Sequence, residues 1–298
     1  MRFKYFLLLC CLAAVFSLNA QVRYGFKTGL NFARIKGPSE TNAAGKDLET
    51  FGNVTGFHIG ATFAYSFTDN YGLRTEFLYS KRGTKYTFDG ESYRVFRYTN
   101  GQTLSTGSSR YLININNSYL DIPVMAVARW GDVELSAGGY VGFLVSSIGD
   151  GSLRFSGETV PLGNTVTNVE SGAGELVFNI NYNYRKDEIG EGDNAQKVIA
   201  RVDARNVELP KTLGAYFDYT EDKGNVYGAL DYGLVGGLSY YISHSLYIGA
   251  RLQYGLADVT NNDADLSRTE INVTDGSLIY RKDKDKNFVI QASVGFSF

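Results

Sequence analysis

Phe288-Val-Ile-Gln-Ala-Ser-Val-Gly-Phe-Ser-Phe298 alternates without a break. Phe288, Ile290, Ala292, Val294, Phe296 and Phe298 form one set, and Val289, Gln291, Ser293, Gly295 and Ser297 the other. A period of two residues describes a strand with one apolar face and one mostly polar face. An aromatic residue ending such a strand on its apolar face marks the closing strand of an outer-membrane barrel, with lipid outside and polar side chains or water inside. Phe288 and Phe298 are ten residues apart. At a tilt of about 40° that length rises about 25 Å, the height of the apolar band of such barrels. Phe288, Ile290, Val294, Phe296 and Phe298 are therefore the candidate signal for the barrel-assembly machinery.

Seven further segments alternate in the same way, at about 22–35, 54–67, 71–88, 111–130, 133–146, 226–242 and 245–257. Their connections alternate too. They are short at 68–70, 131–132 and 243–244, and long at about 37–52, 89–110, 147–225 and 258–286. Short periplasmic turns and long extracellular loops are the barrel pattern. Phe67, Tyr71, Trp130, Tyr240, Tyr241, Tyr247 and Phe298 gather beside the short turns, where an interfacial aromatic girdle belongs. The prediction is all-β: an eight-stranded, antiparallel, up-and-down transmembrane barrel with large extracellular loops.

Residues 1–20 read as a signal peptide: Arg2 and Lys4, then an apolar run from Phe6 to Phe16 too short to span a bilayer, then Ser17-Leu-Asn-Ala20 as the cleavage site. A lipoprotein reading through Cys10 or Cys11 is disfavoured by that short run and by the bulk of Leu9. Both cysteines fall in this segment, so residues 21–298, the barrel domain, hold no disulfide and no thiol nucleophile. Without Arg2 and Lys4, 27 basic residues face 31 acidic ones, a net charge of −4 that argues against nucleic acid as a partner. Tyr (22) and Phe (19) are abundant and Pro (4) scarce, as strands favour, and the many Gly (34) suit the interior of a narrow barrel.

The insert at 147–225 is ambiguous. Leu176, Phe178, Ile180, Tyr182 and Tyr184 alternate with polar residues, and so do Val198, Ala200, Val202 and Ala204. The expectation is an extracellular hairpin of these two segments, because their connection at 187–196 is long and charged and neither carries Gly. Ten membrane strands remain the alternative.

The chain resembles the PorT-like outer-membrane barrel family. The resemblance is carried by Gly25-Phe-Lys-Thr-Gly-Leu-Asn31, Gly72-Leu-Arg-Thr-Glu-Phe-Leu-Tyr-Ser-Lys-Arg-Gly83 and Tyr119-Leu-Asp-Ile-Pro123. It continues in Ala137-Gly-Gly-Tyr-Val-Gly-Phe-Leu144, Tyr232-Gly-Leu-Val-Gly-Gly237 and Gly249-Ala-Arg-Leu-Gln-Tyr-Gly255. It covers the strands in order but not the loops, and the 147–225 insert departs from the compact family pattern. The resemblance implies an integral outer-membrane barrel, with a named member similar to an accessory factor in protein secretion.

The inward face carries Arg23, Lys27, Arg74, Arg129 and Arg251 against Glu76, Asp121, Glu134 and Asp231. Buried charges must pair. Arg129 and Glu134 flank the Gly131-Asp132 turn and are expected to face each other; Lys27, Glu76 and Arg251 are expected to meet at mid-height. The network then fills the barrel, the alternative being a polar pathway, that is, a small channel or ligand-binding barrel. Enzymatic chemistry would fall to His58, inward with Asn31 and Ser80 as neighbours, because His244 lies in a short turn. No third catalytic partner is visible, so a non-enzymatic role is expected. Asn261-Asn-Asp263-Ala-Asp265 spaces oxygens as calcium loops do, but Leu266 stands where the tight turn needs Gly. Arg281-Lys-Asp-Lys-Asp-Lys286 could meet lipopolysaccharide phosphates, although alternating charges also suit a solvated loop. No cofactor or metal motif is present. The expected partners are outer-membrane lipid and lipopolysaccharide, the barrel-assembly machinery, and an envelope protein contacting the 147–225 loop.

Overall fold

The computed structural model describes residues 21–98, 101–160, 169–171, 175–202 and 205–298. The signal-peptide reading falls on 1–20, outside the described residues. The strands are β1 (Gln21–Lys36), β2 (Glu49–Gly52), β3 (Val54–Ser66), β4 (Tyr71–Tyr98), β5 (Gly101–Trp130), β6 (Val133–Val160), β7 (Val169–Ser171), β8 (Leu176–Asn183), β9 (Gly192–Val202), β10 (Arg205–Leu213), β11 (Leu230–Tyr241), β12 (Leu246–Gly255), β13 (Leu266–Ile271), β14 (Leu278–Tyr280) and β15 (Lys286–Ser297).

Eight of them close a ring by hydrogen bonding, in the order β1-β3-β4-β5-β6-β11-β12-β15 and back to β1. The closing contacts are β6 with β11, from Leu230↔Phe143 to Tyr240↔Val133, and β15 with β1, from Gly25↔Ser297 to Lys36↔Lys286. Closure leaves the ring itself without a free edge, which a lipid environment demands. All eight alternating segments are ring strands, and all three short connections join ring neighbours. Gly131 takes a left-handed φ of 60° in the two-residue turn between β5 and β6, a conformation that suits glycine.

The polarity of the ring is inverted relative to a water-soluble protein. Tyr24, Leu30, Phe57, Phe77, Leu135, Leu234, Ile248, Ile290 and Phe296 are exposed, whereas Lys27, Arg74, Glu76, Asp121, Glu134, Asp231 and Arg251 are buried. An apolar belt of this extent needs lipid against it. Phe288 is half-buried and Ile290, Val294, Phe296 and Phe298 are exposed, so the apolar face of β15 looks outward.

β4, β5 and β6 do not stop at the rim. They run on as a ladder to Tyr98↔Gly101 and Leu104↔Val160, so 89–98 and 101–110 are strand rather than loop. Above the rim the pattern reverses. Ile113, Ile115, Leu153 and Phe155 turn inward and are buried, while the outward face carries the ion pairs Arg110–Asp89 (2.8 Å) and Arg154–Glu175 (3.2 Å). The strands keep their pleat and exchange lipid for water, so the apolar face changes sides.

The described strands of the 147–225 segment form sheet outside the ring, but not as the expected hairpin. β6 carries an extra residue at Val145, where Tyr119 faces Leu144 and Ser118 faces Ser146. Below this bulge β6 pairs with β11; above it, β6 pairs with β8, from Ile148↔Asn183 to Phe155↔Leu176. β8 lies parallel to β10, and the hairpin is β9 with β10. The bulge redirects β6, so β8 takes the edge freed by β11 and the 176–184 segment pairs with β6 instead of with 198–204.

Candidate functional site

Among the described residues the lumen holds three stacked clusters of paired charges. Nearest the short turns, Arg74 donates to Glu134 Oε1 (2.5 Å) and Oε2 (2.7 Å), and Tyr241 Oη bridges Arg74 and Glu134 at 3.2 Å each. In the middle, Glu76 Oε2 accepts from Arg251 (2.7 Å) and Lys27 (3.4 Å), and Arg251 Nε donates to Gln291 (2.8 Å). Near the outer rim, Arg82 joins Asp231 (2.9 Å) and Asp121 (3.3 Å), with its guanidinium 3.8 Å over the Tyr119 ring. Tyr140 and Asn287 both donate to Asp231 Oδ2 at 3.0 Å.

The expected meeting of Lys27, Glu76 and Arg251 is therefore in place. Arg129 also lies opposite Glu134 in register, as expected, but it is not the cation that Glu134 binds. Glu134 is taken by the Arg74 fork. The Arg129 guanidinium instead lies 3.6 Å from the centre of the Tyr241 ring, and its Nε donates to Gly131 O. Arg23 also stands apart from the network: it is half-buried near the start of β1 and donates to Ser66 Oγ (3.4 Å). Both arginines are half-buried near the short-turn mouth, and the Arg23 Nε is itself buried without a partner.

Arg82 is not among the charges expected in the lumen, although its signal is legible in the sequence. Arg74, Glu76, Leu78, Ser80 and Arg82 are successive inward positions on β4, so the same parity reaches Arg82. Counting it, Lys27, Arg74, Arg82 and Arg251 balance Glu76, Asp121, Glu134 and Asp231, four against four. Glycine makes the room. A Cβ on Gly142 would strike Asp121 Oδ1 and come within 3.0 Å of Arg82 Nη2. The gap left around Lys27, Glu76 and Arg251 is about 10 Å³, one water at most.

His58 is fully buried. Its Nδ1 faces Asn31 Oδ1 (2.8 Å) and its Nε2 faces Ser293 Oγ (3.0 Å), while Asn31 donates to Ser80 (3.1 Å). Neither ring nitrogen meets a carboxylate. His244 is exposed in the turn between β11 and β12.

Outside the ring, a second core gathers Phe88, Tyr111, Ile113, Leu153, Phe155, Phe178 and Ile180. Beside it lies a cavity of about 70 Å³, walled by Tyr86, Tyr182, Tyr184, Tyr219 and Tyr227 and floored by Asp265, Asp285 and Arg281. Asp265, Asp283 and Asp285 bring carboxylate oxygens within 4.8 Å of one another. Burial pushes Asp265 up to about 7 and Asp285 up to about 6. Arg281 supplies the opposing charge, bonding both Asp283 and Glu49. From the calcium-like loop only Asp265 takes part; Asp263 is exposed, and Asn261 donates to Lys223 O and Asn225 O.

Several solved structures resemble this one. The attachment invasion locus protein Ail of Yersinia pestis aligns at 12% identity and a TM-score of 0.33, covering 93% of this chain and 99% of Ail. Neisserial surface protein A aligns at 10% identity and a TM-score of 0.29, covering 94% and 99%. OprG of Pseudomonas aeruginosa aligns at 8% identity and a TM-score of 0.28, covering 93% and 95%. No curated protein matches the sequence. The profile of the outer membrane protein beta-barrel domain matches residues 17–261, most of the chain. With the closed ring, its apolar belt and its charged interior already in view, the chain belongs to the outer membrane protein beta-barrel domain family and resides in the outer membrane.

Proposed function

We propose that this protein is a non-enzymatic barrel with a sealed lumen, and that it works by protein–protein interaction at the cell exterior. The observation that carries this reading is the reversal of polarity along β4, β5 and β6. The strands leave the membrane and build a second core around Phe88, Leu153 and Phe178. A barrel needing only an anchor has no use for a packed extracellular module.

The docking edge is β9. It pairs with β10 along one side, whereas β7 covers the other side only at 200–202. Among the described residues, 193–199 have no strand on that side, and Ile199 is exposed there. An open edge recruits a partner strand through main-chain hydrogen bonds. The PorT-like segments on the ring strands support a role accessory to secretion or envelope assembly, and the outward aromatic face of β15 suits insertion by the barrel-assembly machinery. The reading as a non-enzyme rests on His58, whose ring nitrogens are both occupied by neutral side chains.

A photo-crosslinking residue at Ile199, in intact outer membranes, tests the reading. One recurrent protein adduct supports it; adducts to lipid alone overturn it. A steady porin-like conductance in a planar bilayer would refute the sealed lumen, and loss of any hydrolytic or acyl-transfer activity in His58→Ala would refute the non-enzymatic role.

A further inference from the structure

Three cations meet on the outer wall of the barrel where the apolar band ends. Arg34 and Lys36 close β1, and Lys286 opens β15. Lys36 lies directly opposite Lys286, and Arg34 opposite Phe288. Immediately below them on the same face, Phe32, Ile290 and Leu252 are exposed to lipid. Lys36 Nζ stands 4.0 Å from the centre of the Phe288 ring and 5.9 Å from that of Tyr254. Lys286 Nζ is 5.9 Å from the Tyr254 ring, and Arg34 Cζ is 5.7 Å from the Phe288 ring.

Among the described residues none of the three cations has a carboxylate partner, and Arg34 Nε is buried without an acceptor. Like charges directly opposite each other destabilise a strand pair. The aromatic rings offset this only in part. The segment entering β15 shows why no carboxylate helps. Lys282 and Lys284 are exposed, whereas Asp283 is half-buried and Asp285 buried. The period of two sends the acids inward to Arg281 and Thr260, and leaves the lysines facing out.

We propose that Arg34, Lys36 and Lys286 form a binding site for a phosphate-bearing headgroup of an outer-leaflet lipid. A phosphate offers several acceptor oxygens to two ammonium groups and one guanidinium fork. The site stands at headgroup height, where such charges attract anionic lipid. Phe32, Ile290 and Leu252 give the acyl chains an apolar wall directly beneath, which a free anion would not use.

Native mass spectrometry of the full-length protein tests the site, with diphosphorylated lipid A, fully dephosphorylated lipid A and inorganic phosphate as probes. The expected result is at least about tenfold tighter retention of the phosphorylated lipid, undisturbed by matched inorganic phosphate. Equal retention of the two lipids overturns the proposal, and displacement by inorganic phosphate overturns its lipid part. Lys286→Glu sets a carboxylate opposite Lys36, so it should hold or raise resistance to unfolding while abolishing the preference. A folded Lys286→Glu protein that keeps the preference refutes the site.

Discussion

Arg74 on β4 reaches across β5 to grip Glu134 on β6 with two parallel hydrogen bonds of 2.5 and 2.7 Å. The pair ties two strands that do not touch through the backbone, and Tyr241 on β11 extends the tie to a third. Glu134→Gln leaves a buried guanidinium short of its counter-charge, and should cost about 3–5 kcal/mol. Combined replacement of Arg74 and Glu134 by Met and Leu should cost less than either single change. Trp130, the chain's single tryptophan, lies beside this turn and reports urea unfolding in vesicles by its fluorescence.

Arg82 serves two carboxylates at once. Arg82→Met strands both Asp121 and Asp231 and should destabilise the barrel by about 3–5 kcal/mol. Arg82→Lys should rescue little, because an ammonium lacks the planar fork that bonds both oxygens of Asp121 and cannot stack flat on Tyr119. Gly142→Ala intrudes on the same cluster and should cost about 1–3 kcal/mol. Retention of the folded, fast-migrating band on unheated gels at rising temperature ranks the three variants.

Phe178 tests whether the extracellular module is a unit of its own. It is fully buried there, with the Arg94 guanidinium 5.3 Å from its ring centre. Phe178→Ala should cost the module about 3–5 kcal/mol and leave the ring folded. Limited proteolysis of membranes should then cut the module while the barrel band persists. Simultaneous loss of both would mean a single cooperative fold.

The acidic cluster predicts a pH dependence. Asp265 and Asp285 titrate near 7 and 6 in the folded protein, above the usual carboxylate value. The folded state holds their protons more tightly, so stability is fullest below about pH 4 and falls as pH rises through 6 and 7. The module should resist protease better at pH 5.5 than at pH 8, after correction with a denatured substrate. Asp265→Asn should flatten that difference and stabilise the module at pH 8.

The sequence by itself determined the eight ring strands, the side on which their short turns lie and the sign of each face. These follow from the pleat, a local property that any stretch of alternating residues displays. Parity also places Lys27, Glu76, Asp121 and Arg251 inside, and carried six residues beyond Glu76 it places Arg82 there too. Only the tertiary structure decided which charges pair. Arg129 stands opposite Glu134, yet Glu134 binds Arg74, because the stagger of the closed ring brings a side chain from two strands away into better position. The same holds for β8, whose alternation suits a membrane strand as well as an extracellular one. What assigns it is the bulge at Val145, where β6 leaves β11 and frees an edge. Stagger and partner exchange are sums over the whole ring, and no single segment encodes them.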